Sequence, residues 1–140
     1  VDLIPERSIL TPRPKECERF AGTWANDFER LDLLKKLSAK LKSVIVLKGA
    51  HTSVATPEGN VYFNSTGNPG MAKGGSGDVL LGIITGLLSQ GYSSADAAMA
   101  GVYVHGLAGD LAASDLGMIS MTATDLIEFL PNAFKKVSPA

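Results

Sequence analysis

"NPGMAKGGSGDVLLGII", residues 68–84, sets four glycines, a serine and one acid directly ahead of an apolar run. Glycine costs about 1 kcal/mol against alanine inside a helix, so this density at a helix start asks for a use other than helix stability. A glycine-rich loop running into a helix leaves several N–H groups without intrahelical acceptors, aimed outward at the positive end of the helix dipole. Gly74, Gly75, Ser76 and Gly77 are small enough for a phosphate to come within hydrogen-bond reach of those amides. Asp78 needs a second explanation, because a carboxylate beside a phosphate is repelled unless chemistry uses it. A general base fits that place, accepting the proton of an attacking hydroxyl while the amides hold charge developing on phosphoryl oxygens. Asp78 as no more than a favourable early-turn acid is the competing reading. "GGSGD" lacks the GK[ST] ending of a Walker A loop, and no strand leads straight into it as a dinucleotide-binding GxGxxG requires.

Outward from that loop, "SVIVLKG" at 43–49 has an unbroken aliphatic centre, which predicts a central strand covered on both faces as in a parallel sheet. "PEG" between "TSVAT" and "NVYFN" predicts a hairpin over 52–64. "SILTP" at 8–12 reads as a brief strand stopped by proline, with "RPKE" continuing as loop. Leucines and alanines at helical spacing predict an amphipathic helix over 26–41, capped by Asn26. Three more helices are predicted, at roughly 77–90, 94–113 and 122–135, the last two opened by the capping sequences "SSAD" and "TATD".

The helix from Asp78 carries Val79, Leu80, Leu81, Ile83, Ile84, Leu87 and Leu88 in every direction, which predicts burial all round. Gly82 and Gly86, like Ala97, Gly101 and Gly109 in the next helix, are expected to admit a neighbouring backbone closely. The other predicted elements are too few to enclose so apolar a helix. A missing half of the domain, or a partner subunit in a homo-oligomer, is therefore expected, and Val1 in place of an initiating Met agrees with a longer product.

With 140 residues, 45% of them hydrophobic, the chain is the size of one domain, and no linker or repeat suggests a boundary within 1–140. A net charge of -1 with dispersed lysines and arginines excludes a nucleic-acid surface as the reading. No apolar run is long enough for a membrane span, and no signal sequence opens the chain, so a cytoplasmic location is expected. Cys17 is alone, which fits a reducing compartment and gives it no activating neighbour. His51 and His105 lack metal-ligand spacing, so no protein-bound metal is expected. His105 reads as a packed histidine, and Phe20 and Trp24 as cover for a core edge.

"NSTGNPGMAKGGSGDVLLGII", with "VIVLKGAHT" and "ILTPRPKE" in matching order and spacing, resembles the ADP- or ATP-dependent NAD(P)H-hydrate dehydratases of the ribokinase superfamily. The resemblance covers nearly the whole chain and corresponds to the carboxyl-terminal portion of the family's α/β fold, a three-layer α/β/α sandwich. It implies a lyase that repairs hydrated NADH or NADPH: the ring hydroxyl is phosphorylated by ADP or ATP with Mg2+ and phosphate is then eliminated. It implies Asp78 as the base and a substrate contact, with Gly77 against the nucleotide, alongside Gly74, Gly75 and Ser76. Lys48, Gly49, Ala50, His51 and Thr52 match the family's nucleotide-binding loop at the end of the central strand, where open α/β sheets bind ligands. Without the resemblance they read as a plain turn into the hairpin.

Two positions depart from the family pattern. Family members have HPGE after "ILTP", with the histidine on the hydrated cofactor; here Arg13, Pro14, Lys15 and Glu16 stand there. Arg13 can pair with a substrate phosphate but cannot replace a neutral imidazole. Lys73 stands where a threonine is common, adding a cation that either serves the phosphate site or faces solvent. Two alternatives stay open: a small-molecule kinase of the same superfamily acting on a vitamin precursor, and a nucleotide-binding fragment without turnover.

Overall fold

The computed structural model describes residues 3–138. They form two compact units, one running to Asn64 and including Ser93–Met99, the other made of Ser65–Tyr92 and the residues from Ala100 onward.

The first unit holds β1 (Ile9–Leu10), α1 (Pro14–Ala21), α2 (Asp27–Leu41), β2 (Val44–Leu47), β3 (Ser53–Ala55) and β4 (Val61–Phe63). The strands form one sheet in the order β1-β2-β3-β4, so β2 is interior. The sheet is mixed: β1 runs parallel to β2 with Ile9 opposite Val44, and β2–β3 and β3–β4 are antiparallel. All four residues of β2 are buried, as an unbroken aliphatic run demands. The β3–β4 hairpin pairs Ser53 with Phe63, and Gly59 takes a φ of 89° in its turn. Asn26 caps α2 by accepting from the Glu29 N–H at 3.0 Å. One face of α2 (Leu34, Leu37, Leu41) packs on Ile45, Leu47 and Ala55 with Cys17 of α1, and Trp24 lies against that core. Phe20 stays 38% exposed.

α1 corrects the expectation of a loop at "RPKE". Pro14 stands in the first turn, where its missing N–H is no loss and its fixed φ suits a helix. Glu16 then accepts from the Arg13 N–H at 2.7 Å. That bond holds the Glu16 carboxyl below the usual range.

The second unit holds a 3-10 turn (Pro69–Met71), α3 (Ser76–Ser89), most of α4 (Ser94–Leu116) and α5 (Ala123–Val137). Thr122 caps α5, and the Asp125 carboxylate accepts in return from the Thr122 N–H at 2.6 Å. α4 and α5 meet through Val104, Ala108 and Ala133 with Phe129 and Leu130 around them. Ala112, Met121 and Leu126 form a second cluster with Met71 and Val79.

α3 is not buried all round. Leu80, Ile83, Ile84 and Leu87 are buried, whereas Leu81 is 49% and Leu88 38% exposed. The close approach expected at Gly82 and Gly86 does not occur either, since a Cβ at either would meet nothing within 4 Å. At Gly101 it does occur as expected: a Cβ there would lie 2.7 Å from the Ile84 side chain and 3.6 Å from its Cα. Gly109 is filled by a side chain, Met71, rather than by backbone.

Candidate functional site

The glycine loop is built as a chain of short hydrogen bonds. Met71 N–H donates to Asn68 O, Ala72 N–H to Pro69 O, Lys73 N–H to Met71 O, and Ser76 N–H to Lys73 O at 3.4 Å. Gly75 is the N-cap of α3 with φ 87°, a left-handed conformation that glycine adopts without strain. The N–H groups of Gly74, Gly75 and Gly77 have no main-chain acceptor among the described residues. Gly74 and Gly75 are exposed, and nothing lies within 4 Å of a Cβ placed at Gly74. Gly77 is an orphan donor of the first turn of α3, and the amides of Gly74 and Gly75 lie just ahead of it, free of main-chain partners to meet an anion.

Asp78 follows in the first turn of α3 with its side chain exposed. It stands at one end of a cleft of about 510 Å³ between α3 and α5, whose walls include Gly82, Gly86, Ile127, Leu130 and Phe134. A carboxylate is thus placed one residue after an unpaired amide and beside a largely apolar cleft.

Ser76 differs from its glycine neighbours. It is buried, and its hydroxyl lies 3.3 Å from Nε2 of His105 on α4. Burial pushes the His105 imidazole below its ordinary value, and the interaction with Ser76 opposes part of that shift. His105 is a packed, hydrogen-bonded histidine tied to the loop.

Lys73 is held by main-chain carbonyls rather than left as a free cation. Its ammonium donates to the carbonyls of Ile119, at 2.8 Å, and Met121. The lysine stem spans from the glycine loop to the segment before α5, so its charge is spent on main-chain oxygens.

Sequence reasoning passed over Asp110. Its carboxylate accepts from the Gly67 N–H at 2.9 Å and from the Asn68 side-chain amide at 2.9 Å. The Asn68 side-chain oxygen in turn accepts from the Gly70 N–H at 3.0 Å. The only hint in the sequence is an acid placed four residues after Gly106 in a helix of small residues, and such a hint names no partner.

In the first unit, the segment carrying Arg13 and the loop Lys48–Thr52 leave the carboxyl ends of neighbouring parallel strands. The Lys48 N–H donates to Pro12 O at 3.0 Å, extending the β1–β2 ladder to that end. Gly49, Ala50, His51 and Arg13 are exposed, and Thr52 turns the loop by donating its hydroxyl to Gly49 O at 3.2 Å. Cys17, by contrast, is fully buried and its thiol is pushed up by that burial, which keeps it protonated. Among the described residues, no group of three or more His, Cys, Asp or Glu side chains is placed to hold a metal ion. No helix among them is long and apolar enough to cross a membrane.

Residues 3–132 match the NAD(P)H-hydrate dehydratase family, Carb_kinase. The bifunctional NAD(P)H-hydrate repair enzyme Nnr of Moorella thermoacetica is 48% identical over 131 residues, covering 92% of this chain and 25% of that protein. Among solved structures, the ADP/ATP-dependent NAD(P)H-hydrate dehydratase of Bacillus subtilis, co-crystallised with ATP/Mg2+, superposes with a TM-score of 0.85 at 34% identity. That match covers 96% of this chain and 52% of that one. A ribokinase-like superfamily protein of Enterococcus faecalis superposes with a TM-score of 0.77 at 32% identity, over 96% of this chain and 46% of that one. The fold is therefore the ribokinase-like α/β fold, and the chain spans between a quarter and about half the length of these relatives. With nearly its whole length matched, the chain belongs to the NAD(P)H-hydrate dehydratase family.

Proposed function

We propose that this chain carries the phosphate-binding and acid-base part of a nucleotide-dependent NAD(P)H-hydrate dehydratase, a lyase that restores hydrated NADH or NADPH. The observation that carries the reading is the set of unpaired amides at Gly74, Gly75 and Gly77 with the exposed Asp78 carboxylate next to them. The relative co-crystallised with ATP/Mg2+ supports an adenine nucleotide as the co-substrate.

Hydroxide is a poor leaving group, so making a phosphate ester of the ring hydroxyl explains why a dehydration consumes a nucleotide. Asp78 accepts the hydroxyl proton as that oxygen attacks the terminal phosphorus and the bond to the nucleotide breaks. The amides of Gly74, Gly75 and Gly77 hold the charge on the phosphoryl oxygens, and the fixed loop means they need not reorganise for it. Phosphate then leaves with the C–O electron pair as the neighbouring ring carbon gives up a proton, restoring the double bond. Lys48, Gly49, Ala50, His51 and Thr52 contact the nucleotide in this reading, and Arg13 pairs with a substrate phosphate. Mg2+, if bound, would be carried by the nucleotide and would screen its phosphates. Ser76 contributes through its place in the loop, since its hydroxyl is engaged by His105.

Hydrated NADH given with ADP or ATP tests this: recovery of NADH absorbance supports repair, whereas a stable phosphorylated alcohol points to a kinase of the same superfamily. A second reading, a nucleotide-binding fragment without turnover, is favoured by the share of the relatives that the chain spans and by Arg13 in place of the family histidine. In that case the complete enzyme needs further chain or a second subunit over the exposed Leu81 and Leu88 of α3. Nucleotide binding by calorimetry without NADH recovery would favour it.

A further inference from the structure

We propose that Asp110 is a positioning residue for the anion loop: with Asn68 it fixes the start of the loop, and through it the directions of the Gly74, Gly75 and Gly77 amides. The proposal rests on the phosphate-binding reading of those amides for its functional consequence, but the geometry behind it is independent.

Asp110 reaches across more than forty residues of sequence to satisfy two donors at one turn, the Gly67 N–H and the Asn68 side-chain amide. Asn68 passes the constraint on, because its oxygen holds the Gly70 N–H and its main-chain carbonyl accepts from Met71. From there the bonds of Ala72 to Pro69, Lys73 to Met71 and Ser76 to Lys73 lead to the first residue of α3, the last of them spanning Gly74 and Gly75. The face of α4 that carries Asp110 is shaped to receive this segment. A Cβ at Gly106 would fall 2.1 Å from the Thr66 hydroxyl oxygen, and one at Gly109 would fall 2.2 Å from the Met71 sulfur. Gly67 itself sits at φ 105°, a conformation open to glycine, and its N–H is turned onto the Asp110 carboxylate. A displacement at Asn68 is therefore passed along these bonds toward the segment that carries Gly74.

The requirement is one of donors and acceptors, which makes it testable by exchange. D110N leaves one acceptor oxygen for two donors and turns its NH2 group toward the donor left over. N68D alone sets two carboxylates against each other. Combined, N68D/D110N restores every bond, with only the one between positions 68 and 110 reversed in direction. The amide oxygen introduced at 110 accepts from Gly67, and its NH2 donates to the carboxylate introduced at 68, whose second oxygen accepts from Gly70.

The experiment compares backbone amide spectra of ligand-free protein with calorimetric ADP affinity for wild type, D110N and N68D/D110N. D110N is expected to move the Gly74, Gly75 and Gly77 resonances and to weaken ADP roughly tenfold or more, the order carried by a hydrogen bond to a charged group. The double variant is expected to return both to near wild type. A role confined to stability would lower the D110N melting temperature and leave the glycine resonances and the affinity unchanged, and that result overturns the proposal. A folded double variant that keeps the D110N spectrum overturns it as well. Should D110N not fold, the double variant decides alone, wild-type glycine resonances supporting the proposal and displaced ones ending it. Should wild type itself bind no ADP, the functional reading fails while the ligand-free spectra still decide the positioning role.

Discussion

Ser76 and His105, 29 residues apart, meet at 3.3 Å, tying α4 to the start of α3. The imidazole is held below its ordinary value of 6.5 by burial, so the folded protein favours it neutral. In the unfolded chain His105 takes up a proton near that ordinary value, and in the folded chain only at lower pH. The unfolded state thus binds more protons as pH falls through 6.5, and stability declines with it until the folded imidazole is also charged. Urea midpoints measured from pH 7.5 to pH 5 should fall more for wild type than for His105→Gln, which has nothing to titrate. Equal slopes would remove His105 as the cause.

Gly82 and Gly101 are both helical glycines, yet their surroundings predict opposite responses. Gly82 has open space at its Cβ position, so G82A should raise stability by roughly 0.5–1 kcal/mol through helix propensity. Gly101 lies against Ile84, so G101V should lower it by about 1–3 kcal/mol through overpacking. Chemical denaturation of the two variants checks the contrast, and a stabilised G101V would contradict the packing described for α3 and α4.

Lys73→Met tests whether the lysine is spent on main-chain oxygens. Removing its ammonium leaves the Ile119 and Met121 carbonyls without that donor, a loss of about 0.5–1.5 kcal/mol because the Ile119 carbonyl turns to water. Denaturant midpoints read the loss directly. If K73M instead left stability unchanged and weakened nucleotide binding, the cation would belong to the phosphate site after all.

Gly75→Ala places a side chain at φ 87° and 3.0 Å from the Ala123 Cβ. The left-handed conformation alone costs about 1–2 kcal/mol. G75A should be destabilised by at least that amount and should bind ADP more weakly than wild type. Thermal melts and titration together check it.

The parts of the fold carried by local pattern were legible in the sequence. The buried β2, the 52–64 hairpin and the capped helices α2 and α5 follow from runs of like side chains, turn residues and caps that act within a few positions. α1 was not, because Pro14 reads equally as a stop and as a first-turn residue until the Glu16 carboxylate is seen closing back on Arg13. The burial of α3 was overread, since periodicity reports apolar directions and not which of them the chain can cover. The glycine loop and Asp78 stood out by composition. What holds the loop did not, as Asp110, Lys73 and His105 reach it across 29 to 48 residues, distances over which no spacing rule operates.

The central claim is that the Gly74, Gly75 and Gly77 amides bind phosphate and Asp78 acts beside them as a base. Calorimetric titration of wild type and Asp78→Asn with ADP and with ATP, run beside NADH recovery from the hydrate, tests it most directly. The account predicts that both proteins bind nucleotide, D78N at least as tightly because a like charge is gone, and that any NADH recovery seen with wild type is lost in D78N. No binding by wild type at millimolar nucleotide, or undiminished turnover by D78N, would contradict it.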